Sequence, residues 1–329
     1  MSSAGAPAAV GDGTDPARRG PVLGLDIGGT KIAAGVVDEV GAVHGFVVAP
    51  TEALRGPDDG LARLFALGRR AVAEAGVEWD DVAAVGIGCG GPLDSARGIL
   101  IAPLHLVGWE DVRIVEAAER ELGRSAVLDN DAVAAAAGEH RYGAGRGTSD
   151  MVYLTVSTGV GGGVVLHNEL QRGASGNGGE LGHVTVDWRG RECRGCGRRG
   201  CLEAYASGTS IVERAREAGV QAARATDVAA AAAAGDPAAI AVWDETCEAL
   251  ACGITSIVNL FEPELVVLGG GVSRAGEQLL APVRARVQAD AIGQPGRTVE
   301  LVQTALGDAV GVVGAAAVAY ERVAPVAAG

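Results

Sequence analysis

The chain is poor in aromatic residues, in basic runs and in long apolar stretches. Phe, Trp and Tyr together make up only 3% of its 329 residues, so the core must be built from Val, Leu, Ile and Ala. No apolar run reaches the ~18 residues that a membrane-crossing helix needs, and no transmembrane helix is expected. Acidic groups outnumber basic ones by 41 to 27, for a net charge of −14. The one dense basic stretch, Arg189 to Arg199, is threaded with cysteines, so nucleic acid is not an expected partner. The first residues lack the basic start and apolar middle of a secretory signal; residues 1–20, rich in Ala, Gly and Pro, read as a disordered tail. A disulfide framework is missing too. Of six cysteines, three lie between Cys193 and Cys201, which suits a metal site in a reducing, cytoplasmic compartment.

Glycine is abundant, at 52 residues, and it punctuates a recurring pattern. From Val22 three β-type runs follow one another (22–27, 32–37, 42–48), then a helix over about 60–74 with Gly76 as its stop. A strand at 82–87 runs into the turn Gly88-Cys89-Gly90-Gly91-Pro92. A helix over 111–122 and a strand over 125–128 come next, followed by an Ala-rich helix over 132–142. The pattern restarts with strands at 151–156 and 163–167. Helices are predicted over 202–217, 238–260, 276–288 and 308–322, with strands at 264–268 and 298–302. The motif of strand, tight Gly/Thr turn and strand occurs at Asp26 to Thr30 and again at Ser157 to Gly161. Either two similar α/β lobes face each other, each offering a glycine hairpin to a cleft, or two unrelated hairpins occur in a glycine-rich chain.

Three features carry chemistry. Glycine turns between strands let backbone N–H groups approach an anion. Asp26, at the end of a buried-type strand, needs a cation or strong donors, and water-mediated Mg²⁺ binding fits. No P-loop string is present, and Gly159 to Val164 does not match Gly-x-Gly-x-x-Gly. Second, Asp129-Asn130-Asp131 stands where a strand gives way to a helix. One such residue suffices as an N-cap; a carboxylate there could instead take the proton of an attacking hydroxyl. Third, His183, Cys193, Cys196 and Cys201 supply four ligands of the right softness for tetrahedral Zn²⁺. Glu180 and Glu203 bracket that loop, and carboxylates suit sugar diols. Cys89 reads as a small turn residue, Cys247 and Cys252 as core thiols, and Trp188 as a loop anchor or a sugar platform.

In this order these features resemble the ROK family of bacterial glucokinases, related sugar kinases and sugar-responsive repressors, within the actin-like ATPase superfamily. The resemblance runs from Val22 to about Val323. It rests on Leu25 to Lys31, Gly90 to Asp94, Asp129 to Ala132, Ser157 to Gly163, Glu180 to His183, the cysteine loop through Glu203, and Leu268 to Ser273. It implies a two-lobed α/β fold of the ribonuclease H-like kind, with residues 21–130 and a returning helix at 308–324 in one lobe and 131–307 in the other. It implies ATP-dependent phosphorylation of a hexose, with Asp131 as base and Asn130, Glu180, His183, Glu203, Gly91 and the position of His105 at the sugar. Asp26 would lie near Mg²⁺. Gly28, Gly29, Thr30 and Lys31 would form one phosphate loop and Thr158, Gly159 and Gly161 the other, with Gly270 and Gly271 at the adenosine. A homodimer or homotetramer is expected.

The chain departs from the family pattern in three places. Cys193 and Cys196 are one residue further apart than in many members, which leaves Cys193 the least secure zinc ligand. His105 stands where glucokinases commonly carry an asparagine that reads sugar hydroxyls, and an imidazole offers one donor and one acceptor when neutral. An amino sugar, an N-acetylated sugar, mannose or a cyclitol therefore competes with glucose as acceptor. Val133 replaces a common second asparagine. Family repressors carry an N-terminal helix-turn-helix domain; here the first phosphate motif starts at Leu23, after a short tail, which favours a kinase.

Overall fold

The computed structural model describes residues 20–323 apart from 175 and 294–298. The expected tail falls outside these residues up to position 19, as does the start of the strand predicted at 298.

The first sheet grows from β1 (Val22–Ile27), β2 (Lys31–Val37) and β3 (Val43–Pro50), an antiparallel meander. Helix α1 (Pro57–Ala75) crosses over to β4 (Ala84–Cys89), and the small hairpin β5 (Leu93–Asp94) and β6 (Ile99–Leu100) leads to α2 (Ile114–Leu122) and β7 (Ala126–Asn130). β4 and β7 add in parallel, giving the order β3-β2-β1-β4-β7. Gly76 and Gly123 close α1 and α2 in the left-handed conformation, as their positions in the sequence predict. α2 starts at Ile114 rather than 111, because Asp111 has a positive φ and Val112 bridges to Leu100.

The second sheet repeats the plan. Helix α3 (Asp131–Tyr142) precedes β8 (Met151–Val156), β9 (Val160–Leu166) and β10 (Glu169–Leu170). Then come α4 (Glu203–Ala206), α5 (Gly208–Glu217), α6 (Ala225–Ala233), α7 (Pro237–Phe261), β11 (Leu265–Gly269), α8 (Glu277–Asp290), β12 (Glu300–Gln303) and α9 (Val310–Arg322). Its order is β10-β9-β8-β11-β12. The helix predicted over 202–217 is broken at Ser207, whose hydroxyl caps α5 by accepting from the Ser210 N–H. α6 was not predicted: its Ala run has no periodic apolar stripe to reveal it.

β9 begins at Val160, inside the glycine cluster and not after it. The reason is steric. A Cβ at Gly161 would stand 2.9 Å from the Ala132 Cβ, and one at Gly163 would stand 2.5 Å from that of Ala136, so these glycines let α3 lie close on the strand. α9 returns from the second half to the first sheet, where Val312, Val313, Ala316 and Tyr320 bury against Val22, Ala33, Val37 and Ala84. α3 and α9 pack closely on each other between the two sheets, so close that a Cβ on Gly314 would meet the Ala134 carbonyl at 2.4 Å.

Candidate active site

The cleft floor is made where strands of the first sheet end. Asp26 on β1 pairs in register with Gly88 on β4, and Gly88 with Asp129 on β7. A Cβ at Gly88 would lie 3.8 Å from both the Asp26 carboxylate and the Asp131 Cα, so this glycine leaves room beside the two acids. Burial and the neighbouring Asp131 push Asp26 up to about 7, against the pull of Lys31. Burial likewise raises Asp131, and His105 opposes it.

The run 129–131 divides three ways. Asn130 is the N-cap of α3: its side-chain oxygen accepts from the N–H groups of Ala132 and Val133 at 3.0 and 3.3 Å. Asp129 is fully buried and bound by two arginines. Asp131 is then left as the first residue of α3, at its positive end and beside Asp26. Its Oδ1 accepts from the Ala132 N–H at 2.8 Å, so Asn130 and Asp131 share the donors at the start of α3.

The first phosphate-type turn is closed by the Gly28 N–H donating to the Lys31 carbonyl at 2.9 Å. Thr51, buried and not singled out by the sequence, donates its hydroxyl to the Gly28 carbonyl at 2.6 Å. Thr30 and Lys31 are exposed. The His105 side chain packs on this turn, its Cβ 2.9 Å and its ring Cδ2 3.3 Å from where a Gly29 Cβ would be, and its ring edge fills the space a Cβ at Gly90 would need. Its Nε2 is buried with no partner. Gly91 faces the Asn130 amide.

Across the cleft, the turn Ser157 to Gly159 is held by α5. The Gly208 N–H donates to the Ser157 carbonyl at 2.6 Å and the Thr209 hydroxyl to the Thr158 carbonyl at 2.9 Å. Gly208 and Thr209 carried no motif signal in the sequence. Gly161 lies in β9 against α3, not in this turn. Gly270, with φ of 85°, packs over Val156 at the neighbouring strand end, and Gly271 follows it. One oxygen of Glu203 accepts from the Val160 N–H at 2.9 Å, and the other is 3.4 Å from the Cys193 Sγ. Glu203 thus bridges the second glycine turn and the cysteine loop.

In that loop His183, Cys193, Cys196 and Cys201 bring one ligand atom each to within 4.8 Å of one another. Cys196 Sγ is 3.5 Å from Cys201 Sγ, and Cys193 Sγ is 3.7 Å from His183 Nδ1. Tetrahedral Zn²⁺ with bonds of about 2.0–2.3 Å sets its ligand atoms roughly 3.5–3.8 Å apart, so the donor set fits. Cys193, buried, sits within the cluster despite the longer spacing to Cys196. The other His183 nitrogen, Nε2, is 3.8 Å from Glu180. Cys247 is buried, but Cys252 is exposed and is not a core thiol. Trp188 is 72% exposed with the Arg189 guanidinium over its ring, so it is not a buried anchor.

Among the described residues no helix is long and apolar enough to cross a membrane. The sequence profile of the ROK family matches residues 22–322. The chain is 35% identical over 319 residues to the glucokinase of Thermotoga maritima, covering 92% of this chain and 98% of that one. Among solved structures it is similar to a ROK hexokinase from Thermus thermophilus (40% identity, TM-score 0.78, 92% and 98% covered). It is also similar to a ROK family glucokinase from Streptomyces griseus in complex with glucose and AMPPNP (35% identity, TM-score 0.78, 92% and 100% covered). The fold is the two-lobed actin-like ATPase architecture, with the two sheets as the cores of its lobes. The chain belongs to the ROK family of sugar kinases.

Proposed function

We propose that the protein is an ATP-dependent glucokinase in which Asp131 takes the proton of the C6 hydroxyl of glucose as that oxygen attacks the γ-phosphoryl group. The observation that carries this reading is the placing of Asp131. Asn130 does the capping, and Asp131, whose Oδ1 accepts from the Ala132 N–H at 2.8 Å, stands at the cleft floor within electrostatic reach of Asp26 and Glu180. A half-buried base with a raised pKa is suited to proton abstraction. Glucose and AMPPNP in the Streptomyces griseus relative support the substrate pair.

In this reading the lobes are residues 21–130 with 308–324, and residues 131–307. Asn130, Glu180, His183, Glu203 and Gly91 bind the sugar; the turns at 28–31 and 158–159 bind phosphates, with Gly270 and Gly271 at the adenosine. Mg²⁺, held near Asp26, would neutralise phosphate charge. Zn²⁺ on His183, Cys193, Cys196 and Cys201 would be structural, fixing the His183 ring and the position of Glu203. A cytoplasmic homodimer or homotetramer completes the proposal.

The test is a coupled assay with glucose and ATP, beside Asp131→Asn. The variant should bind glucose while turnover falls by roughly 10²–10⁴-fold; wild-type turnover would remove Asp131 as base. A second reading, the same transfer to an amino sugar, an N-acetylated sugar, mannose or a cyclitol, is favoured by His105, whose unpaired Nε2 differs in hydrogen bonding from an asparagine amide. A panel of acceptors decides between the two.

A further inference from the structure

Outside the cleft, a buried and heavily bonded charge stands two residues before the proposed base, at Asp129. Its side chain is 1% exposed, and a carboxylate buried to that extent requires compensation. It receives it from two sides. Arg172 Nε donates to one oxygen at 2.9 Å and Arg322 donates to the same oxygen at 2.6 Å, while the Asn130 N–H donates to the other at 2.9 Å. The Arg172 fork then holds both oxygens of Glu321 at 3.0 Å each. Arg322 also donates to the Leu128 carbonyl at 2.9 Å, on β7 at the edge of its sheet. Two acids and two guanidinium groups balance in charge.

The four residues do not come from one side of the cleft. Asp129 lies one residue before the end of β7, and Glu321 and Arg322 end α9, which packs on the same sheet. Arg172 alone comes from the second sheet, just past β10. Its carbonyl accepts from the Gly178 N–H at 2.8 Å, closing a loop that runs on through Glu180 to His183. One guanidinium thus joins the strand end that bears Asn130 and Asp131 to the loop that bears two of the proposed sugar residues.

We propose that Arg172 is a positioning residue for sugar binding, setting the register of the Glu180 to His183 loop against Asn130 and Asp131 through its hold on Asp129. It touches neither sugar nor phosphate. Arg322 shares Asp129 but has no bond to that loop, so it is the internal control. The inference rests on the kinase reading, and small misplacements of binding groups are expensive in catalysis.

The experiment measures glucose affinity by calorimetry, and KM for glucose and for ATP, in the wild type, Arg172→Met, Arg172→Lys and Arg322→Met. Arg172→Met should weaken glucose affinity and raise glucose KM roughly tenfold, with ATP KM within about twofold. Arg172→Lys, which keeps a charge near Asp129 but not the fork, should recover part of the loss. Arg322→Met should lower thermal stability with glucose KM within about twofold. Equal glucose KM for the Arg172 and Arg322 variants, or an unchanged value in Arg172→Met, overturns the proposal. If Arg172→Met fails to fold, Arg172→Lys against Arg322→Met makes the same comparison, and equal values overturn it. A wild-type chain that turns over no acceptor refutes the kinase reading instead.

Discussion

Replacing Asp26 by asparagine should make the protein more stable while removing its activity. The carboxyl lies on the cleft floor, and burial with the Asp131 charge lifts it from 3.8 to about 7. A group whose folded pKa lies above its unfolded one contributes stability at low pH that is lost as pH rises through the folded value. The wild type therefore loses stability from about pH 4 to about pH 7, then stays level. A shift of ~3 units corresponds to about 4 kcal/mol; water reaching the cleft reduces this to ~2 kcal/mol. The amide introduced by Asp26→Asn cannot ionise, so the gap in favour of the variant should open over that pH range. At pH 8, without Mg²⁺ or nucleotide, the gain corresponds to roughly 3 °C in Tm. Thermal unfolding of both proteins at several values between pH 5.5 and 8 reads it directly, and a coupled assay should find phosphoryl transfer lost. A gap that does not change with pH, or a variant less stable than the wild type at pH 8, would refute the reasoning. Adding Mg²⁺ and ATP should narrow the gap, since a cation near Asp26 stabilises the ionised form of the wild type.

Three further outcomes follow from the geometry. The pH profile of kcat/KM should show an acidic limb displaced upward from that of an ordinary aspartate, because burial raises Asp131 and only its ionised form can take a proton; since Asp26 lies beside it, the limb belongs to the pair. Cys201→Ser should reduce zinc content measured by mass spectrometry and also raise glucose KM, because Glu203 and His183 are fixed by the same loop; verified metal loss with unchanged KM would separate the two sites. Gly163→Ala should destabilise the fold by ~1–3 kcal/mol, since its Cβ would come within 2.5 Å of that of Ala136, and chemical denaturation would register a cost near zero if α3 can move aside.

Local chemistry wrote much of this into the chain. Strands β1, β2, β4, β8 and β11 are continuous apolar runs between glycine or acidic punctuation, and Gly76 and Gly123 stop their helices by a backbone preference that needs no partner. The cluster of His183 with the three cysteines was legible for the same reason, since ligand softness belongs to residue type and three of its members lie within nine residues. The Asp129-Asn130-Asp131 run announced a special junction but not how its labour is divided. Only packing decided that, because the cap depends on the φ and ψ of Asn130, and the burial of Asp129 depends on arginines 43 and 193 residues away. Gly161 and Gly163 could have been turn residues by composition; helix α3 lying across β9 makes them spacers. Thr51, Gly208 and Arg172 escaped notice because nothing in their sequence neighbourhoods records the carbonyls and carboxylates they meet in the folded chain.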